Sequence, residues 1–354
     1  MKLKICSPDC ITKQLNKRHE KMYTAREIKL NLIVRFSWRS VLFFLIYSSF
    51  LFLLYFQFDI RFGITFVPVG LIGTAVAFSV GFKNNASYAR LWDARRFWGG
   101  MINTSRSFGA YVMAFIKPAD LSRAETEMIK EEILYRHMAY LNTVRIQLRR
   151  KSVWGDTNTV AHQVVGVTNH AQVSSDVTRI LLAFLPESEA ERYEKKKNVA
   201  TQLLAAQTGR ITDLAEKGHI SELGHRRLME MIQEFYNQQG ACEGIKSFPF
   251  PRQYAYYSKL FVWLFLVILP FGLLTEFAKL PGLAVYLGIP LYVVIAWIFH
   301  TMEVVGDTSE NPFENAINDV PMTAICRIIE TDLRDMLDEE NIPAPIEAID
   351  NILM

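Results

Sequence analysis

Three patterns that commonly mark catalytic sites are missing from this chain. It has no glycine-rich loop able to cradle phosphate, no H-E-x-x-H helix and no nucleophile elbow. Cysteine is scarce. The four present, Cys6, Cys10, Cys242 and Cys326, are scattered, and Cys6 and Cys10 lack a second Cys or His pair at zinc spacing. They read as reduced thiols rather than a disulfide framework or a metal site. No charge sign dominates: 39 Lys and Arg against 36 Asp and Glu leave +3, too little to indicate nucleic acid. Strand signals are few, and no internal repeat of fixed period is visible. The seven histidines are dispersed, and His162 and His170 lie in a polar stretch without a carboxylate at metal spacing. These absences lead us to expect no enzyme, no cofactor and no metal.

What the chain has instead is four charge-free apolar runs set around a long polar middle. They lie between Arg39 and Asp59, Arg61 and Lys83, Lys259 and Glu276, and Lys279 and His300, and are about 19, 21, 16 and 20 residues long. A helix needs about 20 such residues to cross the bilayer core, and in lipid every backbone polar group must be satisfied within the span. With 21 % of the 354 residues charged, a substantial part must also lie outside the membrane. The fold expected is an all-α integral membrane protein with four transmembrane helices and a cytosolic helical region. Its segments are 1–38, a first hairpin 39–83, a helical region 84–252, a second hairpin 253–300 and a terminal segment 301–354. Lys and Arg crowd the approach to the first run and the exit of the second, from Lys2 to Arg35 and from Lys83 to Arg106, whereas each hairpin loop holds one. This bias predicts a multi-pass protein of the cell (inner) membrane with both termini cytosolic. The basic, polar first segment has no cleavage-like site and is not expected to be a signal peptide.

The second run differs from the first. From Pro68 it reads PVGLIGTAVAFSVGF, with Gly70, Gly73, Thr74, Ala77 and Gly81 at near-helical spacing, as in helices that approach closely in membranes. Tight packing accounts less well for Thr74, Phe78 and Phe82, which fall at i, i+4 and i+8 and form one line along a helix. Helical pattern continues past Phe82 to Gly99-Gly100, expected to kink, and ends near Pro118. Ser122 and Glu125 make a capping box. Pro186 is expected to open one helix through ESEAERYEKKKNVATQLLAAQ, with Lys195, Lys196 and Lys197 on its solvated face. Pro270 predicts a kink in the third span. Gly288 and Pro290 are expected as breakers inside the fourth, and residues 151–175 as the loosest stretch.

Two segments, GFKNNASYARLWDARRFWGGMINTSR (Gly81 to Arg106) and ENPFENAINDVPM (Glu310 to Met322), resemble the bestrophin family, including its bacterial members. GACEGIKSFPFP, from Gly240 to Pro251, is similar to the family segment before its third span. The resemblance covers most of the chain. It implies a homopentamer with one central ion pore, whose second-span helices form a hydrophobic neck and run on to enclose an inner vestibule. Carried onto this sequence, the neck residues are Thr74, Phe78 and Phe82. The family usually has a bulky apolar residue at the first, so Thr74 would make the outer ring wetter. Asn84 and Asn85 follow the neck; they would either contact partly dehydrated ions or bridge neighbouring helices. The second constriction falls at Leu223 or Ile220. Glu310 to Asp319 matches the calcium clasp of animal bestrophins. Asp319 is retained, but the adjacent positions are Asn315 and Ala316, short of the six to eight oxygens calcium takes. A structural turn containing Asn311 and Asp319 is expected there instead.

The aromatic and arginine cluster Tyr88, Arg90, Trp92, Arg95, Arg96, Phe97 and Trp98 reads as an interfacial belt with inter-helix ion pairs. Expected partners are further copies of the chain, inorganic ions and the lipid bilayer. The function expected is an ion channel, for chloride or other anions with cations left open. A membrane transporter, or a membrane-anchored protein signalling through its helical region, is the alternative. Inverted repeats and mid-membrane charges, the usual marks of a transporter, are missing.

Overall fold

The computed structural model describes residues 22–23, 30–58, 63–118, 120–150, 173–193, 195–314, 319–346 and 352–353. Its elements are β1 (Met22–Tyr23), α1 (Leu30–Gln57), α2 (Phe66–Phe115), α3 (Arg123–Leu148), α4 (Val173–Phe184), α5 (Glu187–Tyr193), α6 (Val199–Glu216), α7 (Glu222–Ser247), α8 (Arg252–Phe277), α9 (Gly288–Thr308), α10 (Met322–Met336) and β2 (Ile352–Leu353). β1 and β2 form a two-residue antiparallel pair. Among the described residues everything else with regular structure is helical. Four segments are long and apolar enough to cross a membrane: Phe36–Gln57, the start of Phe66–Phe115, Arg252–Phe277 and Gly282–Thr308. The chain is an all-α integral membrane protein.

α2 is the spine. It runs for 50 residues as one helix through Gly99-Gly100 and stops before Pro118. A helix of that length spans about 75 Å, enough to traverse the bilayer and a second layer beyond it. Its buried stripe changes chemistry along the way. In the membrane layer Val69, Val76 and Val80 pack on Val262, Phe265 and Leu269 of α8 and on Tyr292 and Ala296 of α9. In the polar layer Trp98, Met101, Phe108 and Val112 join Ile133 and Tyr140 of α3, Leu203 of α6, Phe235 of α7 and Leu333 of α10. Trp98 is therefore a core residue and not part of an interfacial belt. Only one of the small residues in the span serves close packing inside the chain. A Cβ on Gly73 would come within 2.8 Å of the Phe265 ring, whereas Gly81 faces open space.

Local chemistry explains the remaining boundaries. Ser122 Oγ accepts from Glu125 N and the Glu125 carboxylate accepts from Ser122 N, so α3 starts with the expected capping box. Residues 187–216 form two helices where one was expected. Asn198 caps α6 through Thr201 N, which leaves Lys195 to Lys197 in the exposed turn before it. Gly288 and Pro290 lie inside the fourth span, as expected, but in the first turn of α9, where proline is tolerated, so they do not break the helix. Residues 151–172, with His162 and His170, lie outside the described residues, as do Cys6 and Cys10; Cys242 and Cys326 are buried and reduced.

Pro270 does sit inside α8. A proline cannot donate to the carbonyl four residues earlier, and in lipid that carbonyl needs another donor. Tyr292 of α9 supplies it, donating from its hydroxyl to Leu266 O at 3.0 Å. Tyr47 of α1 donates to the next carbonyl, Val267 O, also at 3.0 Å. The break in one helix is thus stitched to both neighbours. Tyr292→Phe should lower stability by about 1–3 kcal/mol, the cost of a buried carbonyl left without a donor, read as a drop in melting temperature of the detergent-solubilised protein.

At the centre of the polar layer, His137 is buried among Phe108, Tyr140 and Phe235, its ring 4.4 Å from that of Phe235, and Nε2 meets Ser105 Oγ at 2.9 Å. Burial pushes its imidazole down to about 3. Below the ordinary histidine value of about 6.5 the unfolded chain takes up a proton that the folded chain refuses, so stability falls as pH drops towards 3. Between pH 7.5 and 5 this residue should cost about 2 kcal/mol. Thermal melts at pH 7.5 and 5.0 should show a smaller acid shift for His137→Gln than for the parent.

Candidate functional site

The line anticipated along the second span is exposed in the single chain. Thr74 is exposed and turns its hydroxyl back to Gly70 O at 3.0 Å, while Phe78 and Phe82 are 66 % and 72 % exposed. Two phenylalanines standing off the same face of a membrane helix, with no cover from their own chain, demand lipid, another copy of the chain or a shared axis. The same face continues beyond the membrane through Asn85, Ala89, Trp92 and Arg96, all exposed. It passes from apolar to polar without a break in the helix.

The two asparagines after Phe82 part company. Asn84 turns to α9, donating from Nδ2 to Met302 O at 3.1 Å. Gly306 is a glycine because any Cβ there would collide with Asn84 Oδ1. Asn84 therefore bridges helices, the second of the two roles weighed for it. Asn85 stays exposed.

Holding this register is a buried ion pair that the sequence did not reveal as such. Lys83 Nζ meets Glu303 Oε1 of α9 at 2.6 Å, with the side chains 2 % and 6 % exposed. Ser258 of α8 donates to Glu303 Oε2 at 3.0 Å, and Asp307 lies 3.7 Å from the ammonium. One residue after Phe82, then, α2 is tied to α9 and, through Glu303, to α8. In the sequence Lys83 marks the end of the second run and the start of a basic stretch. The signal available was the i, i+4 pair Glu303 and Asp307, just past the fourth run, on one helix face.

A second tie follows. Arg90 donates from Nε to Glu310 O at 3.1 Å and from a terminal nitrogen to Ile245 O and Phe248 O at 2.8 and 3.0 Å. It closes the end of α7 and the turn after α9 onto α2, carbonyl by carbonyl, where inter-helix ion pairs were expected. Burial first, and then Asp307, raise the Glu310 carboxyl above its ordinary range.

Of the two residues anticipated for the second constriction, Leu223 is 62 % exposed at the start of α7 and Ile220 is 3 % exposed within the core. Ile220 packs with the bundle and has no free face for a passage. In the turn after α9, Asn311 is half-buried and Asp319 buried, and Val320 N donates to Pro312 O at 3.2 Å to close it. Asn315 and Ala316 lie outside the described residues.

Comparison with known proteins agrees with this geometry. The family described as "Bacterial/Fungal Bestrophin protein" matches residues 14–335. This chain belongs to the bestrophin family. The Escherichia coli K12 protein named voltage-dependent anion channel-forming protein YneE is 26 % identical over 316 residues, covering 89 % of this chain and 91 % of that one. A Mesorhizobium japonicum protein, also named a voltage-dependent anion channel-forming protein, is 24 % identical over 303 residues, covering 84 % and 83 %. The crystal structure of a bacterial bestrophin homolog from Klebsiella pneumoniae superposes with a TM-score of 0.68 at 25 % identity, covering 85 % of this chain and 98 % of that one.

The buried pair generates a stability prediction for this bestrophin. Removing one partner of a dry ion pair leaves the other charge uncompensated and costs about 3–5 kcal/mol. Glu303→Gln should therefore melt well below the parent, and Lys83→Met with Glu303→Leu should recover most of the loss.

Proposed function

We propose that this bestrophin is one subunit of a homopentameric anion channel whose neck is formed by Thr74, Phe78 and Phe82 of five copies of α2. The observation that carries the reading is the single unbroken face of α2, apolar and uncovered in the membrane layer and polar beyond it. Five such faces around one axis would bury the phenylalanines against each other and leave a narrow passage that widens into a polar chamber. A constriction of phenylalanine rings carries no fixed charge, and it gates because a narrow apolar passage expels water and with it the ions. A slight outward tilt of the helices would rewet it. Thr74, with its hydroxyl, would make the outer ring easier to wet than the two below. Leu223, on the exposed start of α7, supports a second narrowing at the far end of the chamber. The names of the relatives support anions as the cargo.

The Lys and Arg bias supports an inner-membrane location with the polar bundle and both termini on the cytosolic side. In such a channel no bond is made or broken, so the chain's own residues supply only shape, dryness and charge.

Purified protein in planar bilayers should show discrete unitary currents; silence at every voltage and salt tried would contradict the channel. Phe78→Ala with Phe82→Ala should raise open probability severalfold, because the smaller side chains leave a passage that stays wet. Unchanged currents and gating in that double variant would remove the neck from these residues.

A further inference from the structure

We propose that Arg96, repeated around the axis, is the ring that selects anions in the inner vestibule. The inference rests on the pore reading of α2 and adds the residue that gives the pore its sign. Arg96 lies 18 residues beyond Phe78, about five whole turns, so both point the same way from the helix. Along the axis it stands about 27 Å past Phe78, in the polar layer.

The other charges of α2 are placed differently. Lys83 is consumed by the buried pair with Glu303, and Arg90 by three backbone carbonyls. Arg106 is bound to Asp332 of α10 at 2.7 Å. Arg95 points more than a quarter turn away, at about 100° per residue. Only Arg96 combines the phase of the neck line with open exposure, its side chain 66 % accessible.

Two neighbours position its guanidinium. The Phe97 ring lies 5.4 Å beneath it, and Asp93, about a sixth of a turn round the helix, approaches to 3.1 Å. An exposed pair of this kind is weak, so a passing anion competes with Asp93 for the guanidinium. Asp93 thereby tempers the ring: the cation stays in place and does not trap the ion it attracts.

The chemistry calls for a small inorganic anion such as chloride, drawn by potential and not by a fitted cage. A potential of order kT acts with opposite sign on anion and cation, which sets a preference of about fivefold. At 1 M salt, where screening acts within about 3 Å, most of that preference should vanish.

The test is the reversal potential in asymmetric potassium chloride, for channels reconstituted from the full chain. The parent should favour chloride at low salt. Arg96→Gln should cut the chloride-to-potassium permeability ratio about fivefold, Arg96→Glu should lower it further, and Asp93→Asn should raise it. All three effects should shrink at 1 M salt. Should the charge-reversed subunit fail to assemble, Arg96→Cys is modified in the bilayer with a sulfonate or a trimethylammonium methanethiosulfonate, the parent serving as control. The anionic label should lower the ratio and the cationic label restore it. A parent that favours potassium, or conducting variants and labelled channels with the parent's reversal potential, would overturn the assignment of Arg96 and leave the neck intact. Absence of current from the parent itself would instead overturn the channel reading.

Discussion

A lysine ammonium and a glutamate carboxylate 2.6 Å apart, almost wholly sheltered from solvent, hold the rest of this molecule in register. Neither charge could be buried alone at any reasonable cost, and together they need further hydrogen bonds to be tolerated. Ser258 provides one, so three helices must meet at this point and at one rotation. That rotation sets which face of α2 is turned away from α8 and α9. Phe82, the residue before Lys83, is on the outward face because the lysine is on the inward one. A charge pair at the edge of the apolar layer thus fixes the direction of side chains that carry no charge at all.

The same logic governs the proline in α8. An apolar layer has no water to satisfy a carbonyl freed by Pro270, so the fold borrows hydroxyls from Tyr292 and Tyr47. Both carbonyls are answered from another helix, and each answer restricts how those helices can slide. The polar layer works differently. There the buried stripe of α2 is a broad aromatic and aliphatic surface from Trp98 to Val112, onto which α3, α7 and α10 close, with α6 packed against α3 and α7. α2 belongs to both layers, so a change in its tilt at one end is carried to the other through a continuous helix.

Much of this was legible beforehand because bilayer thickness and helical period are strong constraints. Four apolar runs gave four spans, and the i, i+4, i+8 spacing of Thr74, Phe78 and Phe82 marked a face that is open in the single chain. The Ser122–Glu125 cap was equally plain. What escaped were features set by partners distant in sequence. Glu303 looks like any acid after a span until Lys83, some 220 positions away, is seen opposite it. At Gly99-Gly100 α2 runs on as helix, and Gly100 lies against Gln238 of α7, a neighbour distant in sequence. Trp98 suggested the membrane edge and is a core residue. Asn84 and Asn85 are adjacent and chemically identical, yet only one meets α9, a distinction that no local pattern contains. Ile220 and Leu223 differ likewise only by which side of a helix start is covered.

The central claim is that several copies of α2 turn Phe82 towards one axis. Cross-linking with a short bis-maleimide at Phe82→Cys in membranes, with the parent as control, tests it most directly. A ladder of covalent species ending at five subunits is the predicted result. Monomer alone, with the introduced thiol labelled freely from the lipid phase, would contradict the account.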